Sequence, residues 1–312
     1  MKHIVSFSTG LSSALTVERV LERYGTDNVD IVFMDTLAED EDNYRFFGDC
    51  QARWNKEIIV LTDGRTPRQV AEDKQIIPNQ KIAPCTFELK IKMFREWLKK
   101  QNYEGYYLPP VPASFDLYDD GGPVRTRENY ISTERMQHDA ITIHIGYDIF
   151  EAHRCEATRK NYETEGWLVD FPLMWKPLEH RPYSQVVRDD WGIEPPRTYA
   201  MGFNHANCLG DTFCFKVGVG DAIRVLINFP DQYKRAEDWE EMMRDHPVRK
   251  DYSILRDQTG GTVKPLPLKK LRERWEAKKD TQPTLFDLDQ RSPACVSCGI
   301  GDMLPVDKEA IR

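Results

Sequence analysis

The chain has 312 residues, 40% of them hydrophobic, and a formal net charge of −8 at neutral pH. A chain of this length can bury a large core, and no apolar run in it approaches the roughly 20 residues that a membrane-spanning helix needs. The negative charge excludes a general attraction to nucleic acid. Such a partner would need a local basic patch, and the candidates are Arg244, Arg249, Lys250 and the run at 268–279, which reads first as an exposed amphipathic helix.

A buried strand, a turn of small residues and an amphipathic helix are predicted for residues 3–24. Residues 4–7 carry the apolar run of a strand, and apolar residues recur at helical spacing over 15–21. Small side chains in the turn let an anion approach the backbone N–H groups that begin the helix. The turn therefore predicts a phosphate-binding loop, with a serine-rich helix cap as the alternative. Its candidate binding residues are Ser8, Thr9, Gly10, Ser12 and Ser13.

Polar residues follow the second apolar strand, which is predicted for residues 30–33. Asp35, Thr36 and Glu39 come directly after it. In an open α/β sheet, ligands bind outside the carboxyl ends of strands, so Asp35 and Glu39 are candidates to contact a ribose, a base or a magnesium ion. The alternative is an acidic loop that caps the next helix.

A third apolar run at residues 57–61 is followed by a helical segment that begins near Pro84. Lys90 falls on its first turns, opposite an apolar stripe that includes Phe94 and Leu98. A cation fixed at that place can neutralise phosphate or sulfate oxygens. A solvated helix lysine is the alternative.

Residues 103–139 are rich in Tyr, Pro, Gly and Asp, and their length predicts an insertion or lid over the carboxyl edge of the sheet. Another apolar strand is predicted for residues 140–145. Glu151, His153 and Arg154 fall at its end. Arg154 is the best candidate for a bidentate phosphate contact, because its guanidinium presents a planar fork of donors.

The seven cysteines predict a reducing, cytoplasmic setting, since their number is odd and no apolar signal segment begins the chain. Four of them form two pairs. A C-x2-C pair aims two thiolates at one ion, and a second pair would complete a four-thiolate site for zinc or a [4Fe–4S] cluster. The alternative is four cysteines without a metal. The predicted ligands are Cys208, Cys214, Cys295 and Cys298.

Several segments carry motifs of one known superfamily. SFSTGLSS, at residues 6–13, resembles a pyrophosphate loop often written SFSGGxTS, with Thr9 in place of a glycine. MDTLAEDEDNYRFF resembles NTGxExxxTxxF, PCTFELK resembles CTxxLK, and GYDIFEAHR resembles GxRxDExxR. GFNHANCLGDTFCFK resembles GFxxxNCxxCFK, but five residues separate Cys208 from Cys214 rather than two. These motifs are similar to those of the PP-loop superfamily, in its branch of phosphoadenosine phosphosulfate (PAPS) reductase-like proteins.

The resemblance covers roughly residues 1–100 and 140–240. It implies an α/β fold with a parallel twisted sheet and helices on both faces, of the HUP or PP-loop type. The predicted organisation is a nucleotide-binding domain at residues 1–240, a helical extension at 241–275, and a linker with a cysteine-bearing tail at 276–312.

The resemblance also implies an enzyme that binds an adenine nucleotide. In an ATP pyrophosphatase, the loop would hold the β- and γ-phosphates of ATP, and a magnesium ion near Asp35 or Glu39 would offset their charge. Lys90 and Arg154 would stabilise the oxyanion that develops when an acceptor attacks the α-phosphate. Pyrophosphate would leave, and the adenylated acceptor would serve a later sulfur or nitrogen transfer.

Two alternatives remain open. A sulfonucleotide reductase would bind PAPS or its 3′-dephosphorylated analogue in the same loop and would use Cys298 as its nucleophile. A non-catalytic, metal-stabilised adaptor would instead bind a partner through its tail. The tail contains Gln282, Leu285 and Phe286, which resemble the QxxLF peptide that docks on bacterial sliding clamps.

Overall fold

A computed structural model describes residues 2–101, 141–164, 167–175, 181–205, 208–258 and 261–279. The predicted insertion at residues 103–139 lies outside the described residues. The same holds for Cys295, Cys298 and the predicted clamp-binding peptide at residues 282–286. Within the described part of the chain, no helix has the length and apolar character to cross a bilayer.

The central element is a five-stranded parallel sheet with the strand order β3-β2-β1-β4-β5. The chain adds β2 and β3 on one side of β1 and then returns to place β4 and β5 on the other. The order reverses between β1 and β4, which makes their carboxyl ends the switch point of the sheet. The five strands are β1 (Lys2–Phe7), β2 (Val29–Asp35), β3 (Ile58–Thr62), β4 (Ile141–His144) and β5 (Leu168–Asp170).

Helices follow most of these strands. A π-helix, Thr86–Lys92, runs directly into α4, where the sequence predicts an ordinary helix. Short 3-10 turns lie at Thr26–Asn28, Ile149–Glu151 and Pro172–Met174. The α-helices of the sheet region are α1 (Leu11–Tyr24), α2 (Glu41–Trp54), α3 (Pro67–Asp73), α4 (Met93–Lys100), α5 (Ala152–Thr164), α6 (Tyr183–Asp189) and α7 (Arg197–Ala200).

Both faces of the sheet are covered by helices. Val5 and Phe7 of β1 pack with apolar residues of α1 and α2, whereas Ile4 packs with α4 and α5 on the opposite face. This alternation follows from the two-residue period of a strand. The predicted α/β fold, with a parallel sheet and helices on both faces, is therefore confirmed. Its strand order is compatible with Rossmann-like and HUP-like folds.

A second hydrophobic cluster lies in the C-terminal part of the described chain. Tyr233 and Leu271 both belong to it, so the predicted boundary at residue 240 falls inside a helix whose core continues beyond that residue. Buried Glu240 accepts hydrogen bonds from the N–H groups of Ile254 (2.7 Å) and Leu268 (2.6 Å). The elements here are α8 (Val219–Asn228), α9 (Pro230–Arg244), β6 (Leu255–Asp257), β7 (Lys264–Leu266) and α10 (Leu268–Lys279), with β6 and β7 antiparallel.

Candidate functional site at the switch point of the sheet

The loop between β1 and α1 is folded by its own hydroxyl groups. The Ser13 hydroxyl accepts hydrogen bonds from the N–H and hydroxyl of Ser8, both at 3.1 Å, and donates to the Gly10 carbonyl at 2.8 Å. The N–H groups of Thr9 and Gly10 have no acceptor among the described residues. Because they lie just before the positive end of α1, the loop is chemically suited to an anion.

Thr9 is the residue that replaces a glycine of the resembled motif, and it has a left-handed backbone with a φ of 57°. Such a conformation is unfavourable for a β-branched residue. The side chain is fully buried, and its hydroxyl donates to the Ser8 carbonyl at 2.6 Å. The loop thus has a backbone shape that favours glycine although threonine stands at this position.

The loop after β4 meets the loop after β1 at the switch point. A Cβ atom added to Gly146 would lie 2.9 Å from the Thr16 hydroxyl and 3.1 Å from the carbonyl of Ser12. Only a residue without a side chain permits this approach. Sequence reasoning quoted Gly146 within GYDIFEAHR but gave it no role, although a glycine directly after a buried strand is a signal for close backbone packing.

Asp35 and Glu39, the predicted ligands of ribose or magnesium, have different surroundings. Asp35 accepts hydrogen bonds from the Leu37 N–H (2.8 Å) and the Tyr44 hydroxyl (2.7 Å), both at Oδ1. Burial and the bond to Asp35 raise the pKa of Tyr44, which therefore stays a donor at neutral pH. Buried Glu39 accepts from Thr36 at 3.0 Å and from Asn43 at 3.3 Å. Asp35 is thus the more open carboxylate, and Glu39 is the more fixed one.

Cys208, predicted as a metal ligand, lies against this acidic loop. Its Sγ is 3.7 Å from Glu39 Oε1 and 3.8 Å from the Thr36 hydroxyl. Gly210 makes the approach possible, because its N–H donates to the Ala38 carbonyl at 2.9 Å and an added Cβ would lie only 2.6 Å from the Glu39 carbonyl oxygen. Sequence reasoning did not assign Gly210.

Cys214 has a different environment from Cys208, because it belongs to the buried C-terminal hydrophobic cluster. Among the described residues, no cysteine forms a disulfide. Among the described residues, no group of three or more cysteine, histidine or acidic side chains is placed to hold a metal ion. A four-thiolate site would depend on Cys295 and Cys298, so zinc or [4Fe–4S] ligation stays a prediction.

Lys90 is buried on the π-helix, contrary to the alternative of a solvated lysine. π-Helical turns occur frequently at functional sites. Nearby Glu88 is bonded to Lys74 at 2.7 Å and is also approached by Lys92 and Arg65. Burial acts to raise the pKa of Glu88, but these cations lower it below its ordinary value. The segment therefore combines a buried lysine with an ionised, fully compensated glutamate.

Arg154 is held by two neighbours at the end of β4. Its guanidinium donates to the buried carboxylate of Glu151 and, at 2.9 Å, to the Tyr147 hydroxyl, whose ring it also covers at 4.2 Å. Burial raises the pKa of Glu151 to about 7 in spite of the adjacent Arg154. The predicted phosphate-binding arginine thus has a carboxylate partner that already compensates its charge.

Tyr199 joins the site from α7, and sequence reasoning did not assign it. Its hydroxyl oxygen accepts a hydrogen bond from the Leu11 N–H, the first residue of α1, at 3.1 Å. Arg197 anchors α7 through its guanidinium on Asp40 and its N–H on Asp42, each at 2.7 Å. A single short helix therefore connects the loop after β1 with the start of α2.

Two buried histidines join the strands that lead into the two loops. His3 Nδ1 lies 3.0 Å from His144 Nε2, and the His3 ring stacks on Tyr24. Burial is the main cause that lowers the pKa of His3 to about 4 and that of His144 to about 3. The pair is therefore neutral at physiological pH and belongs to the packing between β1, β4 and α1.

The residues proposed as a basic patch mostly serve internal contacts. Arg249 donates to the carbonyl groups of Met243 (2.9 Å) and Gln75 (3.2 Å), and Arg244 donates to the Tyr252 carbonyl. These bonds tie α9 to the turns around it. A role in nucleic-acid binding gains no support from this arrangement.

The comparisons with known proteins leave the family open. No model of a known protein family matches the chain, and no curated protein sequence matches it. The class that fold and site define is an α/β protein with a candidate anion-binding loop at the switch point of a parallel sheet. The likeness to PP-loop proteins rests on the motifs quoted in the sequence analysis.

Proposed function

We propose that this chain is a PP-loop enzyme that binds an adenine nucleotide and adenylates an acceptor with release of pyrophosphate. The observation that carries the proposal is the position of the Ser8–Ser13 loop at the switch point, with the Gly146 loop packed against Ser12. Ligands of open α/β folds bind at this place. The PP-loop resemblance supplies the nucleotide class, and the hydroxyl-rich, uncharged loop is compatible with it.

The two loops take different parts of the proposed reaction. The N–H groups of Thr9 and Gly10 and the serine hydroxyls hold the β- and γ-phosphates at the start of α1. A nucleophilic oxygen, nitrogen or sulfur of the acceptor attacks the α-phosphorus, and the bond from this phosphorus to the bridging oxygen breaks. The electron pair leaves with pyrophosphate, and the acceptor keeps the adenylate.

Arg154 and Lys90 are the cations proposed to stabilise the charge that develops on the α-phosphate. Both side chains are largely buried, so solvent screens them less than surface charges. Phosphate oxygens would compete with Glu151 for the Arg154 guanidinium. Because the pKa of Glu151 is raised to about 7, Glu151 can be protonated near neutral pH and then no longer competes with the phosphate for Arg154.

Magnesium fits the carboxylates that follow β2. Asp35 Oδ1 is engaged by two donors, whereas Oδ2 faces none among the described residues, so Asp35 is the proposed direct ligand. Glu39 supports the same loop from its buried position. When bound, the ion would neutralise phosphate charge and favour departure of pyrophosphate.

The first experiment is calorimetric titration of anaerobically purified protein with ATP plus magnesium and, separately, with PAPS. Preferential binding of ATP, abolished by replacing Ser13 with Ala, supports the proposal. Preferential binding of PAPS would instead favour the reductase alternative and direct attention to Cys298. Binding of neither nucleotide would refute the proposed function and favour the adaptor, which predicts that deletion of residues 280–312 ends partner capture.

A further inference from the structure

A groove lies between α2 and the segment of chain that contains α6 and α7. Its volume is about 1110 Å³, which is sufficient for a small organic molecule. Asp42 and Arg53 are the first and last residues of α2 that line it, and they are about 16 Å apart along the helix. Among the described residues, those that line this α2–α6 groove include none from the loops at 8–13 and 146–154. The groove is therefore separate from the proposed nucleotide site.

The two walls of the groove are held together without a ligand. The Arg45 guanidinium of α2 donates to the carbonyl groups of Glu194 (3.0 Å) and Pro195 (3.3 Å) in the opposite wall. The Arg53 guanidinium lies over the Trp191 ring, 4.8 Å from its centre. Because these contacts fix the connecting segment on α2, a ligand that enters the groove loses little free energy in ordering the protein.

Several side chains that line the groove have hydrogen-bond donors with no acceptor among the described residues. Arg188 uses only its Nε, in a 3.2 Å contact with the Glu194 carboxylate. The side chains of Arg188 and Glu194 are 51% and 69% exposed, so this ion pair contributes little stability and is easily replaced. The open donors are both terminal nitrogens of Arg188, Nη1 of Arg53, the indole N–H of Trp191 and the hydroxyl of Ser184.

The carboxylates that α2 contributes to the groove are already compensated. Asp42 and Asp49 both bind Arg45, each at 2.6 Å. The groups that remain open are therefore mainly donors, and the terminal nitrogens of Arg188 are the charged ones among them with the weakest competing partner. A guanidinium presents a planar fork of N–H groups that matches the oxygens of a phosphate or a carboxylate.

We propose that the α2–α6 groove binds a small organic anion, whose phosphate or carboxylate group contacts the terminal nitrogens of Arg188. Arg53 is the less available cation, because Glu18 already holds its Nε and Nη2. Ile193 and Pro195 belong to the apolar part of the lining, which suits an aromatic or aliphatic body of the ligand. This inference goes beyond the proposed function and does not depend on it.

The test measures binding of 1-naphthyl phosphate, which joins a phosphate to an aromatic body, to the full chain by calorimetry. The wild-type protein is expected to bind it, and Arg188→Gln is expected to bind it about tenfold more weakly, the usual effect of losing a hydrogen bond to a charged group. Neutral 1-naphthol and inorganic phosphate are each expected to bind more weakly than the ester. 1-Naphthoate carries a carboxylate in place of the phosphate, and the tighter of the two anions identifies the head group.

Two further variants control for charge and for position. Arg274→Gln is matched to Arg188→Gln, because it removes a similarly exposed arginine that binds Asp257 in the C-terminal part of the described chain. It is expected to leave binding unchanged. Ala52→Trp fills the groove from an exposed position on α2 and is expected to abolish binding of both naphthyl anions. Urea denaturation of each variant shows that it is folded.

Four results would overturn the inference. The first is that the wild-type chain binds neither naphthyl anion, and the second is that 1-naphthol binds as tightly as the ester. The third is an equal effect of Arg188→Gln and Arg274→Gln, which would indicate a general effect of charge. The fourth is binding that Ser13→Ala abolishes and Ala52→Trp leaves unchanged. That last result would locate the anion at the loop after β1, so it would contradict the groove and support the proposed phosphate-binding loop.

Discussion

The two loops that meet at the switch point differ in the charged side chains that they carry. The loop at residues 8–13 has no charged side chain and presents backbone N–H groups at the start of a helix. The loop after β4 leads into the first turn of α5, which contains Arg154, but Glu151 and Tyr147 already hold this arginine. The first loop is thus prepared for an anion in its present form, whereas the second must exchange an internal partner for a ligand.

Under the proposed function, this difference predicts separate tasks for the two loops. Fixed backbone donors bind phosphate without rearrangement, which suits recognition of the ground state. An arginine released from a buried carboxylate gains most where negative charge increases, which suits the transition state. Five substitutions test the two loops, the strands that lead into them and the loop after β2.

The largest effect is expected from separating the loops with Gly146→Ala. The new methyl group would lie 2.9 Å from the Thr16 hydroxyl and 3.1 Å from the Ser12 carbonyl, so backbone must move. We expect a loss of about 3 kcal/mol in the free energy of unfolding, at the upper end for overpacking, together with loss of nucleotide binding. Urea denaturation and calorimetry measure the two effects.

Gly48→Ala is the matched control for that change. Gly48 lies inside α2, and an added Cβ would meet nothing within 4 Å. This substitution is expected to stabilise the protein by up to about 1 kcal/mol, because alanine favours a helix. Equal behaviour of the two variants would contradict a close contact at Gly146.

The second prediction concerns the strands beneath the loops, which His3 and His144 join. Their folded-state pKa values of about 4 and 3 lie below the ordinary 6.5, so the unfolded chain binds more protons between these values. The stability that the pair contributes is therefore complete above pH 6.5 and is lost as the pH falls toward 4. We expect His144→Gln to cost about 1–2 kcal/mol at pH 8, because it leaves a buried polar group poorly paired.

The cost of His144→Gln is expected to decrease as the pH is lowered from 7 to 5. In this range protonation of His144 stabilises the unfolded wild-type chain, whereas the variant has no histidine to protonate at this position. Urea denaturation of both proteins over this range measures the difference, and groups common to both cancel. Exposed His246→Gln controls for the loss of a histidine outside the pair. A cost that is constant with pH would show that the pair does not exclude protons.

The third prediction uses Glu151→Gln to test the role of the segment after β4 that holds Arg154. The substitution removes the carboxylate that compensates Arg154. Binding of ATP with magnesium is therefore expected to strengthen about three- to tenfold at pH 8, as for the loss of one negative charge beside a cationic binding residue. Because the pKa of Glu151 is about 7, the wild-type carboxyl is mostly neutral at pH 6. The affinities of the two proteins should then converge. Weaker binding by Glu151→Gln at both pH values would show that Glu151 holds Arg154 in its binding position.

The smallest effect is expected from relieving a left-handed backbone in the loops after β1 and β2. Thr9 and Leu37 both have positive φ, 57° and 56°, but only Leu37 is largely exposed. Leu37→Gly should stabilise the chain by about 1 kcal/mol, because glycine adopts this conformation without a steric penalty. Thr9→Gly should gain less, since a buried side chain is lost, and urea denaturation measures both. A larger gain for Thr9 would mean that its side chain contributes nothing to packing.

Local patterns in the sequence were sufficient for four of the five strands of the sheet and for its first loop, but not for β5. The strands predicted at residues 4–7, 30–33 and 140–145, and the apolar run noted at 57–61, all correspond to strands of the parallel sheet. The small-residue turn between the first run and its helix also lies where predicted. Strands and amphipathic helices repeat with fixed periods, so neighbouring residues carry enough information to place them.

The candidate site was predicted less completely. Asp35 is the last residue of β2 and Glu39 follows it closely, whereas Arg154 lies in the first turn of α5, and the partners of all three were not predicted. The Glu151 carboxylate on Arg154 and the Cys208 thiol beside Glu39 change what these groups can do. A pKa or a ligand preference depends on such partners, which a motif does not specify.

The sequence by itself determined the positions of the first four strands along the chain, the small uncharged residues of the turn after the first strand and the acidic character of the turn after the second. Only the tertiary structure decided that Gly146 packs on Ser12, that Gly210 lets Cys208 reach Glu39, and that Tyr199 covers the first N–H of α1. The last two contacts join residues 169 and 188 positions apart. No local periodicity encodes such contacts, because they arise where separate elements are packed together by burial of the shared core.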